Sequence, residues 1–385
     1  MSRHRLALRT HDGQLLTVLD NVISWTLVRK ANEIGQWNVI IDPNFDRRFL
    51  QADNLIEFWR KPEGGAETLL GVGFMRSWEW ATDDEGHETL TIAGPDVLEL
   101  LARRIVQNYA ETSYTNKSGP ADDLIKEIVY EQYLSTAARL GDLYYSRSSA
   151  LPATIFSIAP DMSLGETVGC ECAWRDIFPV LQELAVGSWN AGTMIYFDLE
   201  YVGPGQFMLQ TWAGLRGVDR SIGSGVVPVI FSQEAGNLAH PVLRFDYSDE
   251  VNFAYGGGQG QGTARETDPE NDEPRSQLSL WNRREAFADA RECPAGESPT
   301  YCIATKAYNR MQDGRPKVIF EGDLLDTQTT RFGIDWGYGD KVTIRHRGME
   351  FDGRVDMFTV TISPDGAETV TARVSILETI EGHPD

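Results

Sequence analysis

The sequence predicts an α+β protein that is mainly β, with β-rich ends around a mixed α/β middle. Three observations carry this. In the first hundred residues apolar and polar side chains alternate in short runs with a period of two, as half-buried strands require. From "GPDVLELLARRI" onwards apolar residues recur at helical spacing, interrupted by a further hairpin signature. From "DKVTIRHRGMEF" to the end, clean alternation returns between Gly-bearing turns.

In "GQWNVIIDP", Trp37, Val39 and Ile41 alternate with Gln36, Asn38 and Ile40 until Pro43 stops the run. "NLIEFWRKPEGG" predicts a strand closed by Pro62, Gly64 and Gly65. "LLGVGFMRSWEWATDDEGHETLTIAG" predicts a hairpin that turns at Asp83 to Gly86, with Leu90 and Ile92 on one face of its outgoing strand. A helix is then predicted at "GPDVLELLARRI". Pro95 is tolerated in a first turn, Asp96 and Glu99 suit the positive end of the dipole, and Val97, Leu98, Leu101 and Ile105 form a stripe.

"ADDLIKEIVYEQYL" repeats that signature through Asp122, Asp123, Leu124, Ile125, Ile128 and Val129. "AWRDIFPVLQELAV" predicts another helix, bent or shortened by Pro179. "MIYFDLEYVGPGQFMLQTW" is a hairpin around Gly203-Pro204-Gly205. Residues 263–279 are acidic and polar with little to bury, and predict a mobile loop followed by a short helix at "WNRREAFADAR". At the C-terminal end three strands are expected, with turns at Asp352-Gly353 and Pro364-Asp365-Gly366, before a frayed "EGHPD".

The chain has 385 residues, enough for two or three domains, and a net charge of -22 from 57 acidic against 35 basic side chains. Such a surface repels nucleic-acid phosphates, so no specific nucleic-acid binding is expected. An acidic wall past which DNA slides is compatible with it. No apolar run is long enough for a membrane span, and Met1 to Asp12 lacks the apolar core of a secretory signal. The cysteines are Cys170, Cys172, Cys293 and Cys302. Their spacing suits no common zinc site, so no metal site is assigned. A small Cys293–Cys302 disulfide loop and free thiols are both open, with free thiols in a reducing cytoplasm the expectation.

"GGGQGQG", residues 256–262, raises the question of a phosphate loop. Such a loop needs Lys and then Ser or Thr after its last glycine, whereas Gly262 is followed by Thr263 and Ala264. A dinucleotide loop needs Gly-x-Gly-x-x-Gly before a helix, whereas Gly258-x-Gly260-x-Gly262 leads into an acidic, Pro-bearing stretch. The run therefore reads as a hinge where a strand leaves its sheet. None of the six histidines lies in a His-Glu-x-x-His pattern, no Gly-x-Ser-x-Gly elbow exists, and His87 and His240 sit in turns. The acidic loops "ATDDEGHE" and "DPENDEP" carry calcium-type oxygens without the EF-hand pattern, and read as solvated loops. Trp25, Trp37, Trp59, Trp78 and Trp80 lie in strands, and core or interface packing is expected of them rather than a sugar platform. No catalytic residue, cofactor-binding residue or metal ligand is assigned, and no enzymatic activity is expected.

Taken in order, several segments are similar to one known family. They are "SWTLVRKANEIGQWNVIIDP", "NLIEFWRK" and "LLGVGF"; then "LTIAGPDVLELLARRI" with Gly94, Asp96, Leu100, Leu101 and Arg104; then "AWRDIFPVLQELA". "VIFSQEAGNL", "FDYSDEVNFAYGGGQGQGTAR", "NRREAFADAR" and "GYGDKVTI" follow. Over most of its length the chain resembles the baseplate-hub, or tail-tip, proteins of long-tailed bacteriophages, related to the hub of contractile-tail and VgrG-type spikes. Two departures are the acidic loop at 266–274 and the aromatics of "GIDWGYGD".

The resemblance implies two tube-like β-barrel domains with an α/β insertion. Their expected limits are an N-terminal hub domain at 1–105, a middle domain at 106–240 and a C-terminal β domain at 241–385. It also implies a structural protein of the virion tail tip, assembled in the host cytoplasm. A homotrimeric ring would adapt the sixfold tail tube or distal-tail ring to a threefold tip around the DNA exit channel. The implied partners are the distal tail protein, the tape-measure protein and tail fibre or spike proteins. The alternative is a carbohydrate- or receptor-binding module of a phage tail.

Overall fold

The computed structural model describes residues 3–107, 115–137, 150–291, 299–325, 327 and 329–376. Cys293 and the tail "EGHPD" lie outside them. The chain is mainly β, and its two β-rich ends meet in one eleven-stranded sheet. The main path of that sheet runs 238–246, 317–324, 368–376, 349–362, 22–30, 33–41, 88–95 and 77–82. The join is antiparallel pairing of Met349–Ile362 with Val22–Lys30, from Met357 opposite Lys30 to Ile362 opposite Trp25. A four-stranded sheet, ordered 15–18, 3–9, 55–61 and 68–74, covers one face.

Between these sheets lies the main core, where Leu6, Leu8, Trp25, Trp37 and Phe58 meet Phe332, Trp336, Val342, Phe358 and Val374. The aromatics of "GIDWGYGD" belong to it: Trp336 packs edge-on against Phe231 with ring centres 5.3 Å apart, and Tyr338 lies against Phe358. Burial of such rings is worth about 2–3 kcal/mol each relative to exposure.

The predicted single hairpin at 69–94 divides between two sheets. Thr68–Phe74 pairs with Leu55–Lys61, while Ser77–Thr82 and Glu88–Pro95 form the hairpin proper. Gly94 makes the crossing possible, because a Cβ there would stand 1.9 Å from the Phe74 carbonyl oxygen. Beyond it the predicted helix is a six-residue 3-10 turn, Val97–Ala102, capped by Asp96, whose Oδ1 accepts from the Leu98 N–H at 3.1 Å. Val97, Leu98 and Leu101 are buried as the stripe predicts.

In the middle region the helices Ala121–Tyr133 and Ile177–Ala191 pack on each other and over the sheet 156–158, 206–213 and 195–203. Leu124, Ile125, Ile128 and Val129 meet Val180, Leu181 and Leu184 there. Pro179 shortens the second helix: it occupies the first turn, where its missing N–H is needed least, and the chain before Ile177 is not helical.

Three further expectations fail. The stretch 263–279 is structured, with a strand at Thr267–Asn271 and a helical turn at Glu273–Ser276. "WNRREAFADAR" gives a strand, Glu285–Asp289, parallel to Phe253–Gly257. Ala286 and Ala288 alternate inward on it, and sheet pairing outweighs the helix propensity of alanine. The turn expected at Asp352-Gly353 lies inside the strand Met349–Ile362. The real turn is Arg347-Gly348, both with positive φ, as a two-residue hairpin loop demands. Cysteine chemistry also differs in part: Cys302 is disulfide-bonded, whereas Cys170 and Cys172 are free and buried.

Candidate assembly surfaces

The main path of the eleven-stranded sheet ends at Ser77–Thr82 and Leu238–Asp246, neither paired on its outer side among the described residues; the short strands 219–220 and 230–232 lie off this path beside Lys341–His346. At the first, Trp78 lies opposite Ile92 and Trp80 opposite Leu90. Directly opposed side chains share a face, so both tryptophans continue the face on which Ile92 and Leu90 are fully buried. They are nonetheless 37% and 39% exposed, because the covering layer stops short of them. Arg47 lies over the Trp80 ring at 5.1 Å.

At the second edge, Leu243 lies opposite buried Phe320 and packs against the main core, while Phe245, two residues on, is exposed. Pro241 stands in this edge strand at a bulge, as an edge permits. His240 has positive φ there and contacts Asp323 at 2.7 Å. Trp25 and Trp37 are core residues. Trp59 is half-buried and donates to Glu57 at 2.9 Å. A further apolar protrusion, not singled out in the sequence, is the loop "LSLW", where Leu280 and Trp281 are almost wholly exposed.

At the tip of the 77–95 hairpin, ligand atoms of Asp83, Glu85 and His87 fall within 4.8 Å of one another, all three exposed. Asp83 already serves the turn: its Oδ1 accepts from the N–H groups of Glu85 and His87 at 2.9 and 2.8 Å, which lowers its pKa. In the second acidic loop Asp272 caps the helical turn by accepting from the Arg275 N–H.

The middle region is fastened to the sheet by buried polar contacts. Arg29 donates to Asp198 at 2.6 Å, and its Nε lies 3.5 Å from Asp96; Arg216 reaches Asp198 at 2.9 Å. Both guanidiniums lie over the Tyr338 ring. Burial works against the Arg29 charge, yet Asp198 and Asp96 raise its pKa. Burial also pushes the Asp96 carboxyl up to about 6 against the pull of Arg29. Asn32, with positive φ at the tip of the hairpin 22–41, adds a second tie. Its side chain donates to the Ile195 carbonyl at 2.8 Å and accepts from the Phe197 N–H at 2.9 Å. Asn32 was not singled out from the sequence, because its role depends on a partner strand more than 160 positions away.

"GGGQGQG" is a packing device. Phe253–Gly257 is the central strand of a three-stranded sheet under the helix Pro299–Asp313, and a Cβ on Gly256 would stand 2.3 Å from the Ile303 carbonyl oxygen. The run then turns back into Thr267–Asn271. Gln259 to Gly262 line an open depression of about 680 Å³ with Arg265 and Arg291. Both guanidiniums are engaged by Asp289, and Arg265 also donates to the carbonyls of Gly257 and Gly258.

With this geometry the chain can be set beside known proteins. Its fold matches a tail protein from Neisseria meningitidis MC58 at 11% identity and TM-score 0.57, covering 98% of this chain and 97% of that one. It matches the 43 kDa tail protein of prophage MuSo2 from Shewanella oneidensis at 12% identity and TM-score 0.58, covering 97% and 98%. A chain of the Francisella PdpA-VgrG complex aligns at 9% identity and TM-score 0.50, over 100% of this chain and 54% of that one. No curated protein matches in sequence. At these identities the likeness is one of fold, and the fold is that of phage tail proteins. The siphovirus ReqiPepy6 Gp37-like protein family matches residues 5–374, and the chain belongs to that family.

Proposed function

We propose that this tail protein is the structural hub of the tail tip. Three copies form a ring that adapts the sixfold tail tube or distal-tail ring to a threefold tip and surrounds the DNA exit channel. The observation that carries this reading is the pair of open edges on one sheet. Among the described residues Ser77–Thr82 and Leu238–Asp246 each have no strand partner on their outer side and carry exposed apolar side chains, which an isolated soluble chain normally avoids. Two different edges meeting head to tail make a heterologous contact, and such contacts close into rings when the rotation allows. The net charge of -22 suits a channel wall that DNA crosses without sticking.

In this reading the chain catalyses no reaction. It is built into the virion from subunits assembled in the host cytoplasm, where it contacts the distal tail protein, the tape-measure protein and the tail fibres or spike. Light scattering on the purified protein, alone and with the distal tail protein, tests it. A threefold mass and a stable joint complex are expected. A chain that stays monomeric at high concentration and ignores the distal tail protein sinks the proposal.

Glycan binding is the second reading, favoured by Trp78 and Trp80 exposed side by side on one face. Titration with host cell-wall glycans decides it: affinity unchanged by Trp78→Ala and Trp80→Ala removes this alternative.

A further inference from the structure

Cys170 and Cys172 stand two residues apart on the strand Thr167–Cys172, so their side chains leave the same face. Their Sγ atoms are 3.4 Å apart, closer than ordinary van der Waals contact between sulfurs and longer than a disulfide bond. Among the described residues the strand pairs with Thr115–Pro120 alone, placing Lys117 opposite Cys170 and Thr115 opposite Cys172. Both thiols are buried in the core of the middle region, and a strand at the edge of a sheet opens locally more readily than a central one. It can therefore admit a small reagent and accommodate the shift that bond formation needs.

The two thiols are electrostatically unequal. The hydrogen bond between them lowers the pKa of Cys172 and raises that of Cys170, while burial raises both and Arg175 lowers both. One sulfur is thus disposed to act as a thiolate while its neighbour holds the shared proton.

We propose that Cys170 and Cys172 are a redox-active dithiol that exchanges with a low-molecular-weight disulfide and closes into an intrastrand disulfide. The Cys172 thiolate attacks one sulfur of the reagent. The reagent's S–S bond breaks, and one thiolate leaves and takes a proton from solvent. Cys170 gives up its proton to solvent and attacks the Cys172 sulfur, expelling the second reagent thiolate, which is protonated in turn. Two protein thiols are oxidised, one disulfide is reduced to two thiols, and two electrons pass between them.

The test uses the full chain, reduced, desalted and exposed to glutathione disulfide while folded. Alkylation and peptide mapping are expected to show the peptide holding both cysteines lighter by two hydrogens, with both alkylation sites lost and no glutathione retained. Mapping also separates this pair from Cys302, which lies on a different peptide and whose own disulfide is opened by the reduction step. Cys170→Ser should stop at a stable glutathione adduct on Cys172. Thiols that remain alkylatable after this treatment overturn the proposal, as does a wild-type chain that accumulates the adduct.

Phenylarsine oxide, which bridges two adjacent thiols, gives a reading independent of any variant. Uptake mapped to the peptide that holds Cys170 and Cys172, and abolished there by prior glutathione disulfide, supports the dithiol. Absent uptake, or uptake unchanged by the oxidant, refutes it.

Discussion

Arg29 and Asp198, separated by 169 positions in sequence, meet at 2.6 Å in a buried ion pair. The contact joins the strand Val22–Lys30 to the strand Ile195–Gly203, and so joins the large sheet to the middle region. Removing the carboxylate leaves Arg29 with Asp96 as its remaining carboxylate among the described residues, and Arg216 loses the same partner. Breaking a buried pair from one side costs about 3–5 kcal/mol, because the remaining charge stays desolvated. Asp198→Ala is therefore expected to lower unfolding stability by that order in urea titration. A loss of under about 1 kcal/mol would show that the pair behaves as a surface one.

Two carboxyls place opposite pH dependences in separate windows. Asp96 has its pKa raised to about 6, so the native state holds this proton more tightly than the unfolded chain. Its contribution makes stability rise as pH falls from about 6 towards 4. Asp356, also raised by burial, adds in the same direction. Burial works against the Glu368 charge too, but His4 at 3.3 Å and Arg60 at 2.6 Å overcome it and hold the carboxyl at about 2.

The Glu368 contribution is complete above the ordinary glutamate range and is lost as pH falls through about 2. Thermal melts across pH 2–7 check both windows. Asp96→Asn should flatten the upper one, and Glu368→Gln should remove the steep fall in the lower one. An upper window that keeps its slope in Asp96→Asn removes Asp96 as its source.

Much of the fold was legible because periodicity reports burial. Leu90 and Ile92, or Leu124, Ile125, Ile128 and Val129, occupy the core faces their spacing predicts. The failures fall where burial is thin. The helix Pro299–Asp313 buries only Cys302, Ile303, Ala307 and Met311, a narrow stripe within a polar sequence, and no helix was predicted there. Its signals were Pro299 at the start and Ile303, Ala307 and Met311 at i+4 spacing.

The strand Glu285–Asp289 was missed for the complementary reason. Ala286 lies against a small core made by Val251, Ala254, Ala307 and Met311, and nothing local marks alanine as a strand residue. The assembly surface was visible only in part. Trp78 and Trp80 read as buried or interfacial from sequence, but that they lie at the free edge depends on a sheet order fixed by residues far apart in the chain.

The glycine run separates two kinds of substitution. Gly256→Ala would drive a Cβ to 2.3 Å from a helix carbonyl oxygen, and Gly260→Ala combines φ +95° with a 2.3 Å approach to the Ala264 oxygen. Backbone cannot yield as a side chain can, so each should cost about 1–3 kcal/mol. At Gly258 the nearest atom is Ile303 Cδ1, the far end of a flexible side chain, and the loss should stay below about 1 kcal/mol. Chemical denaturation ranks the three. A Gly258→Ala variant as unstable as Gly256→Ala would mean that the strand and helix cannot adjust even at a rotamer.

The tryptophan edge gives the sharpest separation between folding and assembly. Trp78 and Trp80 lie at the end of the sheet's main path and are each more than a third exposed, so replacing both with lysine removes the Arg47 stacking on Trp80 and the Trp80 N–H bond to the Pro43 carbonyl but leaves the closed core intact. On an edge strand lysine is also a common guard against pairing with another chain, since its charge must stay solvated. If this edge meets a second copy, the double variant keeps its circular dichroism spectrum and melts within a few degrees of the parent, but runs at the mass of one chain. The same two changes at a surface that merely faces solvent leave the mass untouched. Light scattering on parent and variant at equal concentration distinguishes them, and an unaltered oligomeric mass in a folded Trp78→Lys, Trp80→Lys chain assigns the contact to another surface.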